Sequence, residues 1–379
     1  MLHQLLRATV CAMCVLLLNA SLSVASHKTW TPRQVLALQH TVVKTKVNFP
    51  VRLTSGQWLT LAGFFYFKAK HVRSCIFAGS HSRLMRCLIQ TNVGRKPVQT
   101  LIHGLTYDHR YWDIGRANNG NFSYARFMAK KGFVVLALDL LGSGQSPMPR
   151  GDSINITEST FTIAQVLFRL KSGNNPLGRA FKHVILVGHS LGGVLSVRTL
   201  GTFPHAADKL IVMAWAFAPH VVLPPDLVQA ALVNPYVQLP SPVRTNLFYL
   251  PSQAEPRVIQ FDNTFLADQT PRGIFRQGLP LLEAMARGNA DDVTFTKNFS
   301  RSNRVRVPVL IQLGEFDVIA PARLARQEAR FYPRAPRVNV QRLANIGHVF
   351  NFHVTNRKSW NGIVGWLHGS RDDDDDDDD

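Results

Sequence analysis

The chain has 379 residues, 46% of them hydrophobic and 18% charged, a balance that supports a sizeable buried core and excludes global disorder. Lys and Arg number 43 against 24 Asp and Glu, for a net charge of +19 even though the chain ends in a run of aspartates. The basic residues are scattered, with no basic block interleaved with aromatics, so nucleic-acid binding is excluded. The charge reads as dispersed solubility charge, with at most a weak attraction to an anionic surface.

In chain order, Arg7 is followed by an uncharged apolar run from Ala8 to Leu18, interrupted at Asn19. The run is too short to span a bilayer comfortably but suits the core of a secretory signal, with an uncleaved anchor as the competing reading, and Ser23-Val24-Ala25-Ser26 offers cleavage near residue 25 or 26. The expected layout is a signal peptide over 1–26, one domain over 27–371 and a disordered aspartate tail over 372–379, in a secreted protein. Cys11 and Cys14 fall within the signal. Cys75 and Cys87 remain, and in an exported chain they most simply form one disulfide. Asn121, Asn155 and Asn298 each open an Asn-x-Ser/Thr triplet, a glycan acceptor in a eukaryotic host.

Pro32–Leu38 has a helical pattern, and Trp58–Phe67 reads as one of the leading antiparallel strands of a mixed sheet. The stretch from Cys75 to Cys87 reads as irregular. From residue 97 onward strands and helices alternate, the mark of a mostly parallel sheet with helices on its faces. Strands are expected at Pro97–Ile102, Phe133–Leu138, His183–Val187, Lys209–Ala214, Val307–Leu313 and Val338–Leu343. Helices are expected at Phe161–Leu170, Arg323–Phe331 and Trp360–Leu367. Residues 220–302 break the alternation, with Pro224, Pro225, Pro235, Pro240, Pro242, Pro251 and Pro271 among apolar clusters. This segment reads as a cap inserted between core strands, over the C-terminal sheet edge where open α/β sheets bind ligands.

The most informative residues are Gly188-His189-Ser190-Leu191-Gly192-Gly193. An apolar strand precedes them and a helical pattern follows, so the Gly-x-Ser-x-Gly reads as a nucleophile elbow. Glycines at 188 and 192 let strand and helix approach closely, and the helix N-terminus behind Ser190 faces a developing oxyanion. A serine hydroxyl needs a base and an orienting acid. In this architecture the acid follows a late strand and the histidine follows the last one. Gly314-Glu315-Phe316-Asp317 offers Glu315 and Asp317, with Asp317 preferred because it lies further into the loop. Gly347-His348 supplies the histidine, with His353 as the weaker alternative. Two oxyanion donors are expected, the N–H of Leu191 and the N–H of Leu105, with Thr106 or Tyr107 as alternatives to the latter. No metal constellation and no glycine-rich phosphate loop stands out, so no cofactor is expected.

From about Val98 to Leu367 the chain resembles the α/β-hydrolase fold superfamily. The likeness rests on His103-Gly104, on Asp139-x-x-Gly142-x-Gly144-x-Ser146, on the Ser190 elbow, on Gly314-x-x-Asp317 and on Gly347-His348. Residues Leu105–Asp113 and Phe248-Tyr249-Leu250-Pro251 further resemble a set of exported actinobacterial and fungal hydrolases. The resemblance implies an α/β-hydrolase fold with a lid, a triad of Ser190, Asp317 and His348, and a structural role for Asp139. Haloalkane dehalogenases and epoxide hydrolases of this fold carry aspartate at the elbow, so serine sets them aside. The expectation is a secreted serine hydrolase acting on a small-molecule or lipid-like carboxylic ester. The alternatives are the same triad acting on an amide, lactone or carbon–carbon bond, and a non-catalytic binding protein that keeps the fold.

Overall fold

A computed structural model describes residues 30–369 apart from 79, 95, 116–120, 221, 223–228, 230–231 and 250–253. The expected signal peptide, the aspartate tail, Leu227-Val228 and Leu250-Pro251 lie outside the described residues.

The strands are β1 (Val42–Arg52), β2 (Trp58–Lys68), β3 (Val98–Ile102), β4 (Val134–Leu138), β5 (Val184–His189), β6 (Lys209–Met213), β7 (Tyr236–Val237), β8 (Thr270–Pro271), β9 (Val309–Gly314) and β10 (Val338–Leu343). Eight of them form one sheet in the order β1-β2-β4-β3-β5-β6-β9-β10, and β7 and β8 form a separate two-stranded ribbon. β1 and β2 pair antiparallel along their whole lengths, and β2 joins β4 antiparallel; every other pairing in the large sheet is parallel. Every residue of β3, β4 and β5 is buried. Burial of both faces of these strands follows from parallel strands covered by helices on both sides, even though β3 carries Gln99 and Thr100. This is an α/β fold with a mostly parallel central sheet.

The main helices are α1 (Pro32–Leu36), α2 (His81–Asn92), α3 (Tyr124–Lys130), α4 (Ile156–Ser172), α5 (Leu191–Thr202), α6 (Ser241–Phe248), α7 (Pro256–Phe261), α8 (Arg272–Arg287), α9 (Ala290–Ser300), α10 (Ala325–Glu328) and α11 (Asn356–His368). The stretch expected to be irregular is a correction: α2 occupies most of it. Ser80 caps its N-terminus, and Leu84, Met85 and Leu88 make a narrow buried stripe. A disulfide joins Cys75 to Cys87, with the two Cα atoms 5.7 Å apart, and ties α2 to the preceding turn. The helix expected at Arg323–Phe331 is α10 flanked by two 3₁₀ turns. No helix among the described residues is long and apolar enough to cross a membrane.

Chain order places the site. After β3 the chain forms β4 on one side, then crosses to form β5 on the other. Strand order therefore reverses at β3, and a crevice opens at the C-terminal ends of β3 and β5, where such sheets bind ligands. Between β6 and β9 the chain leaves the sheet to form β7, β8 and α6 through α9.

Candidate active site

β5 ends at His189, and α5 begins at Leu191, leaving Ser190 alone in the turn. Its backbone sits at φ 54°, ψ −121°, a region that L-residues occupy only under constraint. The constraint is visible on both sides. The Ser190 N–H donates to the Met213 carbonyl at 2.9 Å. A Cβ on Gly192 would strike the carbonyl oxygens of Ile102 and His103, and one on Gly188 would strike Gly192. Glycine at both positions lets α5 start directly against β3 and holds the serine hydroxyl above the sheet.

His348 lies in the loop after β10 and Asp317 in the loop after β9. His348 Nε2 is 2.9 Å from Ser190 Oγ. His348 Nδ1 is 3.0 Å from each Asp317 carboxylate oxygen. Asp317 Oδ1 also accepts the N–H groups of Ile319 at 2.8 Å and Ala320 at 2.9 Å, which fixes the carboxylate before any substrate arrives. Asp317 and His348 are almost fully buried, and Ser190 is 7% exposed. Glu315, the other carboxylate considered, is exposed and accepts the Asn345 N–H at 3.0 Å. His353 does not reach Ser190; its Nε2 accepts the Gly347 N–H at 3.1 Å and so braces the loop that carries His348.

Leu191 is the first residue of α5, so its N–H has no acceptor within the helix. Leu105 follows Gly104, and a Cβ on Gly104 would lie 2.9 Å from His189 Nδ1 and 3.1 Å from Ser190 Cβ. Leu105 and Leu191 both line the cavity into which Ser190 opens. Counted with its open mouth, that cavity spans about 670 Å³, and Trp215, Phe248, Ile274 and Phe275 are among its other walls. Among the described residues that line it, only Ser190 and the indole of Trp215 carry a polar side-chain group.

Several supports were not legible in the sequence. His189 Nε2 donates to the His348 carbonyl at 2.9 Å, and its ring stacks on Tyr111 at 4.3 Å. Burial, reinforced by the neighbouring His348, holds the His189 pKa well below the usual imidazole range, so it acts as a neutral peg under the second histidine. His103 Nδ1 donates to the Gly104 carbonyl at 2.9 Å, while Nε2 accepts the Leu140 N–H at 3.2 Å. Phe248 packs its ring 5.4 Å from that of His348. A lone histidine or phenylalanine gives no local signal of such roles, because each depends on a contact far away in sequence.

Among the described residues one trio of metal-ligating side chains converges, Asp108, His109 and Asp139. Its atoms are engaged in holding loops. Asp139 Oδ1 accepts from the His109 backbone N–H at 2.7 Å and from Nδ1 at 2.8 Å. Asp108 Oδ1 accepts the Arg110 N–H at 2.7 Å and Nε at 2.9 Å. Asp139 thus fastens the loop after β3 to the loop after β4.

Residues 101–356, about two thirds of the chain, match the model of the alpha/beta hydrolase family. The chain belongs to that family. This alpha/beta hydrolase is similar to an uncharacterized protein of Mycobacterium tuberculosis and one of Mycobacterium bovis, each 31% identical over 121 residues. That match covers 32% of this chain and 30% of each relative, so the chain spans under a third of the relatives' length. Among solved structures the hydrolase is similar to a monoacylglycerol lipase of Paleococcus ferrophilus, with 20% identity, TM-score 0.52 and coverage of 72% of this chain and 95% of that one. It is similar to a thermophilic esterase of Thermogutta terrifontis, with 17% identity, TM-score 0.53 and coverage of 85% and 98%. A putative aryl esterase of Burkholderia cenocepacia gives 15% identity, TM-score 0.54 and coverage of 86% and 99%. At these identities the likeness is one of fold.

Proposed function

We propose that this alpha/beta hydrolase is a serine esterase that cleaves carboxylic esters with an apolar acyl or alcohol portion through an acyl-enzyme. The observation that carries the reading is the hydrogen-bonded line from Ser190 through His348 to Asp317, opening on an apolar cavity. His348 Nε2 takes the Ser190 proton as Oγ attacks the ester carbonyl, and Asp317 stabilises the imidazolium that results. The tetrahedral oxyanion is held by the N–H groups of Leu105 and Leu191. Collapse breaks the bond to the leaving oxygen, which departs as the alcohol with the proton from His348. Water then attacks the acyl-enzyme, gives its proton to His348 and releases the acid, and the proton returns to Ser190. The names of the lipase and esterases of the same fold support an ester substrate. The signal-like N-terminus and the disulfide between Cys75 and Cys87 support export, since such bonds persist in oxidising compartments.

The test is labelling of the purified protein with a fluorophosphonate, alongside turnover of p-nitrophenyl esters. Wild type is expected to label and turn over. Ser190→Ala is expected to lose labelling, and both Ser190→Ala and His348→Ala to lose on the order of 10⁴-fold or more in kcat. A folded wild type that neither labels nor hydrolyses esters would overturn the reading.

A further inference from the structure

The cap does more than cover the cavity. Thr106, next to the proposed oxyanion donor Leu105, is a β-branched residue with φ at 54°, a backbone state such side chains avoid. Strain of this kind persists only where the surroundings over-determine it, and it clusters at functional sites. Here the cap engages every polar atom of the residue. The Thr106 N–H donates to Thr270 Oγ1 at 2.9 Å. Its carbonyl accepts the Asp268 N–H at 2.9 Å and Arg244 Nη1 at 3.2 Å. Its hydroxyl oxygen accepts from the same Arg244 Nη1 at 2.8 Å.

Arg244 stands on α6 with no solvent exposure, and its charge is met by Asp262, equally buried, at 2.8 Å. Asp262 opens a five-residue π-helical turn, Asp262–Leu266. Its second oxygen accepts the hydroxyls of Tyr107 at 2.8 Å and Tyr249 at 2.6 Å. The guanidinium also lies 4.5 Å from the centre of the Tyr107 ring. A fully buried ion pair is a weak source of stability, because desolvation offsets the attraction. Its value lies in fixing geometry, and the geometry fixed here is that of residues 105–107. From the opposite side Gly104 packs on His189 and Ser190. The segment that presents the Leu105 N–H is therefore gripped between the elbow and the cap.

We infer that Arg244 is a positioning residue, which with Asp262 holds Thr106 in its left-handed conformation and so aims the Leu105 N–H at the oxyanion. The inference rests on the esterase reading for its kinetic consequence but not for its structural one. Arg244→Met would leave Asp262 buried and unpaired, so the informative protein is the double variant Arg244→Met with Asp262→Asn, which removes both charges. Arg244→Lys keeps the charge but lacks the planar fork that reaches Thr106, Asp262 and Asn263 together.

Two measurements decide it. The first is hydrogen exchange of the full chain, which needs no substrate: exchange across residues 103–107 is expected to rise at least tenfold in the double variant while residues 188–193 stay protected. The second is ester kinetics, with kcat expected to fall on the order of 10²-fold, as when one oxyanion donor is lost, and KM to stay within about twofold. Arg244→Lys should fall between wild type and the double variant. Unchanged exchange across 103–107 in the folded double variant overturns the inference, as does increased exchange with unchanged kcat. A wild type without esterase activity would count against the esterase reading alone and leave exchange to decide the clamp.

Discussion

At the scale of single residues, the chain spends its buried polar groups on holding loops at fixed angles. Ser190 and Thr106 are both non-glycine residues near φ 54°, one at the elbow and one in the loop facing it. Glu328 is a different case. It is fully buried at the end of α10, where Oε2 accepts the N–H groups of Phe217 at 2.6 Å and Ala218 at 2.9 Å. Burial dominates those hydrogen bonds and pushes its pKa up from 4.5 to about 8. Between those values the folded chain keeps a proton that the unfolded chain has released, so stability falls as pH rises through that window. At about 1.4 kcal/mol per unit the loss amounts to several kcal/mol. Glu328→Gln, which has no proton to lose, is expected to unfold at higher denaturant than wild type at pH 9 and to differ little at pH 5. Urea titrations at the two values check this, and equal pH dependence in both proteins would contradict it.

At the scale of elements, the strand order matters more than any one strand. β3 and β5 are neighbours, yet β4 intervenes between them in sequence. That reversal brings Leu105 and Leu191 to the same crevice. The loops after β9 and β10 then deliver Asp317 and His348 to Ser190 from the other side. α2 lines a surface groove together with Thr45–Asn48 of β1, at the edge of the sheet. Four inter-strand spacings separate β1 from β5, or roughly 19 Å. Replacing both Cys75 and Cys87 by serine is therefore expected to cost about 3 kcal/mol of stability through the freed loop and to leave kcat unchanged. Chemical denaturation and ester turnover on the same preparation test both halves. A large fall in kcat would show that α2 is coupled to the site.

At the scale of the whole molecule, a strongly basic chain carries an apolar cavity beside Ser190. The net charge of +19 finds no counterpart among the described residues of the cavity lining, which include no Lys or Arg. Selectivity is therefore expected to follow burial of apolar surface. Each methylene buried contributes about 0.8 kcal/mol, or roughly fourfold in kcat/KM. From acetate to butyrate to octanoate, p-nitrophenyl esters should rise in kcat/KM until the cavity is filled, and an acyl chain ending in carboxylate should be rejected. A flat profile across that series would assign the cavity to something other than the acyl or alcohol group.

The sequence by itself determined what is local or ordered along the chain. The strand–elbow–helix around Ser190 and the placing of Asp317 and His348 in loops after late strands were all legible, because each is written in contiguous residues. The resemblance also flagged Leu105–Asp113 and Phe248-Tyr249 without giving them work to do. Their work is tertiary: Tyr107 and Tyr249 both bond Asp262, Tyr111 stacks on His189, and Phe248 packs on His348. α2 escaped the sequence because its buried stripe is narrow and lies among arginines, and the packing of Leu84, Met85 and Leu88 into the core supplies what the local pattern lacks. Arg244 escaped for a stronger reason. A buried charge is tolerable only beside its partners, and Asp262, Thr106 and Asn263 come together around it only once the cap has closed on the sheet.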